Sequence, residues 1–322
     1  YNGTVLSGVT KGSTAAGGRT SLDAILTNIF LTLGGKDAKL RAATTATERL
    51  LKDHLFEIHV SVKDWGAKGD NATDDLAAIQ ACFDYVASTT YGARGGAVFF
   101  PAGIYRISGT LSIGARLKLY GAGGREQESV IRSTSTTDGI FTATAQTTEM
   151  DGLYLDATAT NSGTCIDMTG VTTLYAHDVS MSTHFAKGYQ QDNASALAEF
   201  RDCTVACTSD AAGSALRVRA GNVRAMSCSV SGGSAALGVE LDGAGTAIFI
   251  GCSIFGDRCV KALSSFGSAI AANPIIVVGC LLAATTYVFE ILQTDSTKAN
   301  LLIDIGNALT GGAPPTATYN IP

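Results

Sequence analysis

The sequence has little proline, few aromatic residues and no excess of positive charge. Of its 322 residues only 5 are proline and 7% are aromatic, and the formal net charge is −5. A negative chain argues against a nucleic-acid binder, which would present a basic face to the phosphates. No uninterrupted apolar run reaches the roughly 18 residues of a membrane-spanning helix, so we expect no membrane insertion. The first residues also lack the charged and apolar segments of a secretory signal.

Small and apolar residues are abundant instead. Apolar residues make up 46% of the chain and 37 residues are glycine. That apolar content is enough for a large core, which excludes a disordered or fibrous chain. Many small residues with few bulky ones predict thin, closely stacked layers.

A pattern of about 25 residues recurs through the second half of the chain. In one copy, Met150, Gly152, Leu153 and Leu155 give an apolar residue, a turn residue and two more apolar residues. The column of Leu153 continues in steps of 26, 24, 25, 24, 28 and 23 residues through Val179, Cys203, Cys228, Cys252, Cys280 and Ile303. A second column consists of short segments that lie between successive members of the first column. Its first four segments are CIDM, GYQQ, ALRV and GVEL. Two short strands per step predict a right-handed parallel β-helix, whose coils bury their inner residues by stacking.

Four of the eight cysteines fall in the first column of this repeat. We interpret them as an internal ladder of free buried thiols. The alternative is a disulfide between neighbouring coils, whose spacing would fit but whose side chains point awkwardly. Since there is no CxxC pair and no group of histidines, the sequence predicts no metal site and no cofactor.

The N-terminal region has helical periodicity. Apolar residues from Leu22 to Leu33 form a stripe that predicts a helix, and a weaker pattern predicts a second helix from Asp37 to about Leu51. A single amphipathic helix needs a partner for its apolar face, which here means a helical hairpin, a trimer or a docking surface.

A strand and a third helix are predicted farther along. The segment VSVKDWG alternates like a strand, and Thr73 or Asp74 can cap a helix whose inner face carries Leu76, Ile79, Phe83 and Val86. We attribute the adjacent carboxylates of Asp74 and Asp75 to helix capping rather than to catalysis.

Two segments between Asp64 and about Gly124 carry a family resemblance. DWGAKGDNATDDLAAIQACFDYV and GGAVFFPAGIYRISGTL resemble the opening of the pectate-lyase-like superfamily, in its phage tailspike and capsule depolymerase branch. The resemblance implies an all-β fold, a single-stranded right-handed parallel β-helix with an N-terminal capping helix and a short helical N-terminal segment. The implied regions are a docking and trimerisation segment (1–57), a capping strand and helix (58–90), the β-helix (91–306) and a tail (307–322).

The second column of the repeat also places polar residues on the outside, because neighbours of inward residues in a strand point outward. This predicted line consists of Asp167, Gln190, Arg217 with Arg219, Glu240 with Asp242, Lys261 and Glu290. One interpretation is a ladder of opposite charges, in which each pair contributes about 0–1 kcal/mol. The other is a carbohydrate-binding groove.

In the groove interpretation, Glu240 and Asp242 are the catalytic acid and base, with Arg217 beside them. Residues two apart on a strand are roughly 6.5–7 Å apart, near the lower limit for an inverting glycosidase. Arg217 and Arg219 would hold the carboxylate of an acidic sugar. The remaining residues of the line, Asp167, Gln190, Arg219, Lys261 and Glu290, would bind substrate.

Other candidate sites have weaker patterns. His177 beside Asp178, and His184, lie near a predicted turn and could supply a general base. The NTDG, DD and GHG sequences of polygalacturonases are absent, as is a clear set of the calcium-binding aspartates of pectate lyases.

From the resemblance we expect a tailspike-like virion protein of a bacteriophage. It would be a homotrimer in the phage tail, assembled in the host cytoplasm, that contacts other tail proteins through residues 1–57. It would bind host surface polysaccharide and, in the first hypothesis, depolymerise it. The alternative is a non-catalytic adaptor or decoration fibre whose β-helix is a rigid rod. A secreted polysaccharide lyase is a third hypothesis.

Overall fold

A computed structural model describes residues 39–40, 49–50, 60–88, 96–124, 128–208, 213–243, 245–263, 274–291, 302–310 and 318–319. The chain divides into two compact units, Tyr1–His59 and Val60–Pro322.

The described part of the first unit is a short pair of strands. Strands β1 (Lys39–Leu40) and β2 (Arg49–Leu50) pair antiparallel. The predicted helix from Asp37 to about Leu51 is therefore wrong at these four residues. Three threonines lie between the two strands, and their β-branched side chains disfavour a helix. The other predicted N-terminal helix, which carries the apolar stripe from Leu22 to Leu33, lies outside the described residues. The helical docking segment therefore stays a prediction.

The described part of the second unit is built almost entirely of strands. A 3-10 helix (Val62–Trp65) and helix α1 (Leu76–Ala87) lie near its beginning. The strands are β3 (Val60–Ser61), β4 (Asp70–Asp74), β5 (Gly96–Phe100), β6 (Gly103–Ile107), β7 (Leu111–Ile113), β8 (Leu117–Gly121), β9 (Ser129–Ser133), β10 (Phe141–Ala157), β11 (Asn161–Met181), β12 (Phe185–Gln191), β13 (Leu197–Arg201), β14 (Thr204–Ala206), β15 (Ser214–Val218), β16 (Asn222–Met226), β17 (Ser229–Ser231), β18 (Leu237–Leu241), β19 (Ala247–Ile250), β20 (Ser253–Ala262), β21 (Ile275–Val278), β22 (Leu281–Ile291), β23 (Leu302–Ile305), β24 (Ala308–Thr310) and β25 (Thr318–Tyr319).

These strands stack into three parallel sheets, and the four longest strands each run through more than one of them. Sheet 1 contains β7, β12, β15, β18, β25, the start of β10, part of β11 and the ends of β20 and β22. Sheet 2 contains β3, β5, β8, β13, β16, β19, β21, β23 and the middles of β10 and β11. Sheet 3 contains β4, β6, β9, β14, β17, β24, the ends of β10 and β11 and the starts of β20 and β22. The predicted fold class, an all-β right-handed parallel β-helix with an N-terminal capping helix, is confirmed.

The core consists of side chains stacked in register on the inner faces of the sheets. In sheet 1, Phe141, Ile166, Tyr189, Leu216 and Val239 pair along successive coils, and all five are buried. Burying one such side chain contributes about 1.5–3 kcal/mol. Because each contacts the equivalent residue of the next coil, the inner face of one coil is covered by its neighbours.

The sequence pattern did not separate sheet 3 from sheet 2, because only two residues, a corner residue and the one after it, lie between their strands. The corner residues adopt left-handed backbone conformations with φ between 49° and 64°, and they are Gly152, Asp178, Asp202, Ser227, Gly251, Gly279 and Gly306. The sequence pattern interprets each of these segments as one strand with a turn residue. Each segment in fact forms two strands, one in sheet 2 and one in sheet 3. The prediction of two strands per coil is wrong, and the coil has three.

The thiol ladder lies directly after these corners. All eight cysteines are buried and free, which confirms the prediction of buried thiols over the disulfide alternative. The Sγ of Cys280 accepts the backbone N–H of Cys252 at 3.3 Å. The hydrogen bond that Cys228 donates to Cys203 raises the pKa of Cys228 to about 12 and lowers the pKa of Cys203. In the ladder, Cys203 and Cys252 also donate to the carbonyls of Ala176 and Ala225 in the preceding coil, at 3.4 and 3.3 Å.

The prediction that Ile303 is the last member of the first column is wrong. Ile303 lies in sheet 2, where it pairs with Ile276, whereas Asn307 occupies the position after the corner residue Gly306. The Oδ1 of Asn307 accepts the N–H of Cys280 at 2.6 Å, and its Nδ2 donates to the carbonyl of Val277 at 2.9 Å. Asparagine supplies the acceptor that cysteine supplies in the coil before.

Strand β3 ends where a capping box begins. The Ser61 hydroxyl accepts the N–H of Lys63 at 3.3 Å, and the Asp64 carboxylate accepts the N–H of Ser61 at 3.2 Å. The predicted strand in VSVKDWG is therefore confined to Val60–Ser61.

Helix α1 covers the N-terminal end of the core. Its buried residues are Ile79, Cys82, Phe83 and Val86, and the Phe83 ring centre lies 6.3 Å from that of Phe100. The predicted apolar face of this helix is thus confirmed at three of its four positions, Leu76 being half-buried.

The two adjacent aspartates at the start of α1 have different roles. Asp75 is the N-cap residue, but its buried carboxylate accepts the N–H groups of Lys68 and Gly69 at 2.7 and 3.0 Å. Asp74 accepts the N–H of Leu76 at 3.1 Å. The predicted cap at Thr73 or Asp74 is therefore one or two residues too early. Asp74 still accepts a helix N–H, whereas the carboxylate of Asp75 holds the preceding turn.

Within the part of the chain that the structure describes, no helix has the length and apolar character needed to cross a membrane.

The left-handed corners lead to a stability prediction. Replacing Ser227, whose φ is 54°, with glycine should raise the free energy of unfolding by about 1 kcal/mol, because glycine adopts this conformation without steric cost. The control Ser229→Gly, on β17 of the same coil, should lower it by about 0.5–1 kcal/mol. Guanidinium unfolding midpoints measure both changes, and an equal loss in the two variants would contradict the corner assignment.

Candidate functional site

Six of the predicted site residues form one line on the outer face of sheet 1. The strand register pairs them successively along the stack, in the order Asp167, Gln190, Arg217, Glu240, Lys261 and Glu290. All six are half-buried. The predicted placement is confirmed, while the catalytic and binding roles stay predictions.

A second line runs beside the first. Arg219 and Asp242 follow β15 and β18, and the N–H of Asp242 donates to the carbonyl of Val218 at 2.7 Å. Asp192 holds the equivalent position after β12, since the N–H of Arg219 donates to the carbonyl of Gln191 at 2.9 Å. Our sequence reasoning missed Asp192, although its position directly after GYQQ matches that of Asp242 after GVEL.

Charges in these two lines are paired between neighbouring coils. Arg217 Nη2 lies 3.4 Å from Glu240 Oε1, and Arg219 Nη1 lies 3.2 Å from Asp192 Oδ2. Lys261 Nζ lies 3.6 Å from Glu290 Oε2. Both arginines expected to hold an acidic sugar therefore already contact a protein carboxylate, which the sugar would have to displace.

The carboxyl group of Asp167 has a raised pKa. Burial raises its pKa, as does the negative charge of Asp192, while Lys187 and Arg219 act in the opposite direction. Its Oδ1 is buried without a hydrogen-bond partner among the described residues. A buried carboxyl beside a like charge is a common feature of functional sites, and Asp167 is one of the residues predicted to bind substrate.

A groove lies on the outer face of sheet 2. It has a volume of about 430 Å³, and its lining includes Glu149, Asp151, Tyr175, His177, Glu199 and Arg201. These residues form two neighbouring lines, because Tyr175 pairs with Glu149 and Glu199 while His177 pairs with Asp151 and Arg201. We call this depression the sheet 2 groove.

His177 is held in the groove by two carboxylates. Its Nδ1 lies 3.0 Å from Asp151 Oδ1, and its Nε2 lies 3.7 Å from Asp202 Oδ2. The hydrogen bond to Asp151 is the main reason that the pKa of His177 is raised, and the charges of Asp151, Asp202 and Asp178 add to it. The sequence neighbour Asp178 instead accepts the N–H of Gly124 at 3.2 Å. The two carboxylate partners of His177, Asp151 and Asp202, therefore come from the coils on either side of it.

The other histidine that we singled out has a structural environment. The Nδ1 of His184 lies 3.0 Å from Asp156 Oδ1 and 3.2 Å from the Ser182 hydroxyl. A serine–histidine–carboxylate relay requires the two partners on different ring nitrogens. Since both contact the same nitrogen, these three residues do not form such a relay.

Sheet 2 becomes apolar farther along the same outer face. Apart from the exposed Arg224, which pairs with Ile248, the outward residues there form what we call the apolar strip: Met226, Ile248, Ile250, Ile276, Val278, Ile303 and Ile305. Ile250, Ile303 and Ile305 are 44%, 39% and 56% exposed. Contiguous exposed aliphatic side chains are typical of protein-contact surfaces.

No group of three or more histidine, cysteine, aspartate or glutamate residues is arranged to hold a metal ion in the described ranges.

Comparison with protein families gives one match over most of the solenoid. The family described as rhamnogalacturonase A/epimerase, pectate lyase-like, matches residues 59–249, which is more than half of the chain.

Curated relatives match only a short segment. The mannuronan C5-epimerase AlgE2 of Azotobacter vinelandii is 46% identical over 70 residues, which are 20% of this chain and 7% of that protein. Alginate lyase 7 of the same organism is 53% identical over 49 residues, 15% of this chain and 5% of the lyase. The plasmin and fibronectin-binding protein A of Streptococcus pneumoniae is 41% identical over 61 residues, 19% of this chain and 8% of that protein. The match thus spans less than a tenth of each relative.

Solved structures with a similar fold include phage proteins. A tailspike double mutant of E. coli bacteriophage HK620 aligns with a TM-score of 0.59 and 16% identity, over 92% of this chain and 58% of that one. The Dettilon tailspike protein aligns with a TM-score of 0.56 and 11% identity, over 89% and 55%. Gene product 12 of bacteriophage phi29 aligns with a TM-score of 0.52 and 15% identity, over 81% and 43%. At such identities the likeness concerns the fold alone.

The contacts of His177 predict its titration. We expect its pKa to lie above the ordinary value of 6.5, and Asp151→Asn to lower it by more than Asp202→Asn does. Since the folded-state pKa is the higher one, the stabilisation is complete below about pH 6.5 and is lost as the pH rises through the folded-state value. NMR titration of the imidazole measures these pKa values. A larger effect of Asp202→Asn would contradict the observed geometry.

Proposed function

Since the chain belongs to the rhamnogalacturonase A/epimerase, pectate lyase-like family, we propose that it is a tailspike-like virion protein of a bacteriophage that binds host surface polysaccharide. The observation that carries the proposal is a solenoid shared with phage tailspikes that bears a continuous polar line on its outer face. In this proposal the protein lies in the phage tail, is assembled in the host cytoplasm and contacts other tail proteins through residues 1–57.

The solenoid suits a long, repetitive ligand. Successive coils present their outward side chains about 4.8 Å apart, so one face offers polar groups at regular intervals along the stack. The residues proposed to bind substrate are Asp167, Gln190, Arg219, Lys261 and Glu290. Their side chains come from successive coils, so an extended chain of sugars lying along sheet 1 would contact each in turn.

We further propose that this face depolymerises the polysaccharide, with Glu240 and Asp242 as acid and base. Asp242 directly follows β18 and is two residues from Glu240, a spacing of roughly 6.5–7 Å between Cα atoms, which is near the lower limit of the carboxyl separation in inverting glycosidases. Arg217 lies 3.4 Å from Glu240 and would orient its carboxylate.

A specific observation favours the non-catalytic alternative, an adaptor or decoration fibre. Arg217 with Glu240, Arg219 with Asp192 and Lys261 with Glu290 pair the charges of the face with one another. Such a ladder also opposes slippage of one coil against the next, because a shift by one residue would separate each charge from its partner. In that case the solenoid is a rigid rod and the ladder is structural.

The apolar strip supports a homotrimer. Its three most exposed side chains, Ile250, Ile303 and Ile305, would be covered by a neighbouring chain. Each such contact would remove aliphatic surface from water, which contributes about 25 cal/mol per Å².

The catalytic proposal predicts the effect of a double substitution. Glu240→Gln with Asp242→Asn should abolish clearing of a capsulated host lawn while the protein still binds the cells, because amides cannot transfer the proton. The measurement is a halo assay with purified protein, beside a cell-binding assay.

The control is Asp84→Asn, which removes an exposed carboxylate from helix α1. Unchanged clearing by the double variant would show that the catalytic assignment is wrong. A wild-type protein that blocks infection without clearing would favour a non-catalytic attachment protein.

The trimer proposal predicts the effect of a charge in the apolar strip. Wild-type protein should have the mass of a trimer by light scattering, and Ile250→Lys should shift it towards the monomer because a buried unpaired charge is costly. Thr160→Lys, at an exposed position outside the strip, is the control. A monomeric wild-type protein, or a trimer unaffected by Ile250→Lys, would rule out this contact.

A further inference from the structure

We propose that the sheet 2 groove is a second glycan-binding site, separate from the sheet 1 face, and that it takes uncharged or amino sugars rather than uronic acids. This inference rests on the proposed polysaccharide-binding function and adds to it a site and a class of ligand.

The shape of the groove fits a short stretch of sugar chain. Its volume of about 430 Å³ lies within the usual range of small-ligand sites, roughly 300–1,000 Å³. It runs along the stack, because Glu149, Tyr175 and Glu199 come from three successive coils about 4.8 Å apart. A chain of sugars lying parallel to the solenoid axis would therefore contact all three.

The lining combines an aromatic ring with hydrogen-bond acceptors. Tyr175 is 42% exposed, and the strand register places it between Glu149 and Glu199. The apolar face of a sugar ring can pack on such an aromatic ring. Carboxylates accept hydrogen bonds from sugar hydroxyl groups, so the two glutamates would fix the orientation of the packed ring.

The charges of the groove disfavour an acidic sugar. Lys118 lies 3.9 Å from Glu149, and Arg201 donates to Glu199 at 2.7 Å, so both cations already face a carboxylate. His177, even when protonated, has Asp151 at 3.0 Å from its Nδ1. A ligand carboxylate would meet these acidic groups, and every cation that lines the groove already faces one of them. Arg224, which pairs with Glu199, lies on the next coil, outside the lining. Hydroxyl, acetamido and ammonium groups suit the lining better, because each of them donates hydrogen bonds.

The contrast with the apolar strip argues for a glycan rather than a protein in the groove. The two surfaces lie on the same outer face of sheet 2, and the boundary falls where Arg201 pairs with Met226. Aliphatic side chains beyond this boundary suit a protein contact, whereas the groove offers charged and hydroxylated groups around one ring. Protein-contact cores are depleted in aspartate, glutamate and lysine, which are the residues concentrated here.

The experiment measures binding of the full chain to immobilised capsular polysaccharides and O-antigen polymers of known structure, grouped as neutral, amino-sugar or uronate-containing. Tyr175→Ala should weaken binding to the neutral and amino-sugar polymers about tenfold, because the stacking surface is lost. Tyr175→Phe keeps the ring and should stay within about threefold of wild type. Phe255→Ala removes a similarly exposed ring, 38% against 42%, from sheet 3 and should change nothing.

Three outcomes would overturn the inference. If only uronate polymers bind, and Arg217→Gln with Arg219→Gln removes that binding while Tyr175→Ala does not, the proposed function stands and the site is on sheet 1. If Tyr175→Ala changes the oligomeric mass but not the glycan affinity, the groove contacts another chain. If wild-type protein binds none of the polymers, the groove is not a glycan site and the polysaccharide-binding proposal fails with it.

Discussion

In-register stacking of parallel strands is the constraint on which the rest of this structure depends. A single coil is one residue layer thick and cannot bury its inner side chains, so each coil relies on the next one to cover them. The in-register column of Phe141, Ile166, Tyr189 and Leu216 is the direct result. Helix α1 supplies at the N-terminal end the cover that a further coil would otherwise give.

The same constraint organises the polar groups. At the left-handed corners, a side chain of one coil accepts the backbone N–H of its neighbour, a role that Cys280 and Asn307 share. On the outside, charges of opposite sign meet because the register brings together residues that are about 25 positions apart. Arg217 meets Glu240 for this reason, and His177 meets Asp151. Stability and surface chemistry therefore come from one geometric rule.

The two outer faces make different use of this rule. On sheet 1 the charges neutralise one another, and the perturbed carboxyl group of Asp167 lies near the start of the charged line. On sheet 2 the side chains leave an open groove beside an exposed tyrosine, followed by an apolar strip. A solenoid can thus carry a charge ladder, a groove and an apolar strip side by side, since each face has its own set of outward positions.

Local and periodic features could be predicted from the sequence by itself. The stacking period and the thiol ladder follow from the repeat of about 25 residues, and the outward line from Asp167 to Glu290 follows from alternation along a strand. The tertiary structure alone decided the number of sheets, because one left-handed residue such as Ser227 turns the chain without interrupting the apolar pattern. It also decided the partners of His177, since its neighbour in the chain, Asp178, turns away at a corner while Asp151 and Asp202 approach from adjacent coils. Periodicity fixes which residues share a line, but only the folded chain brings separate lines together into a groove.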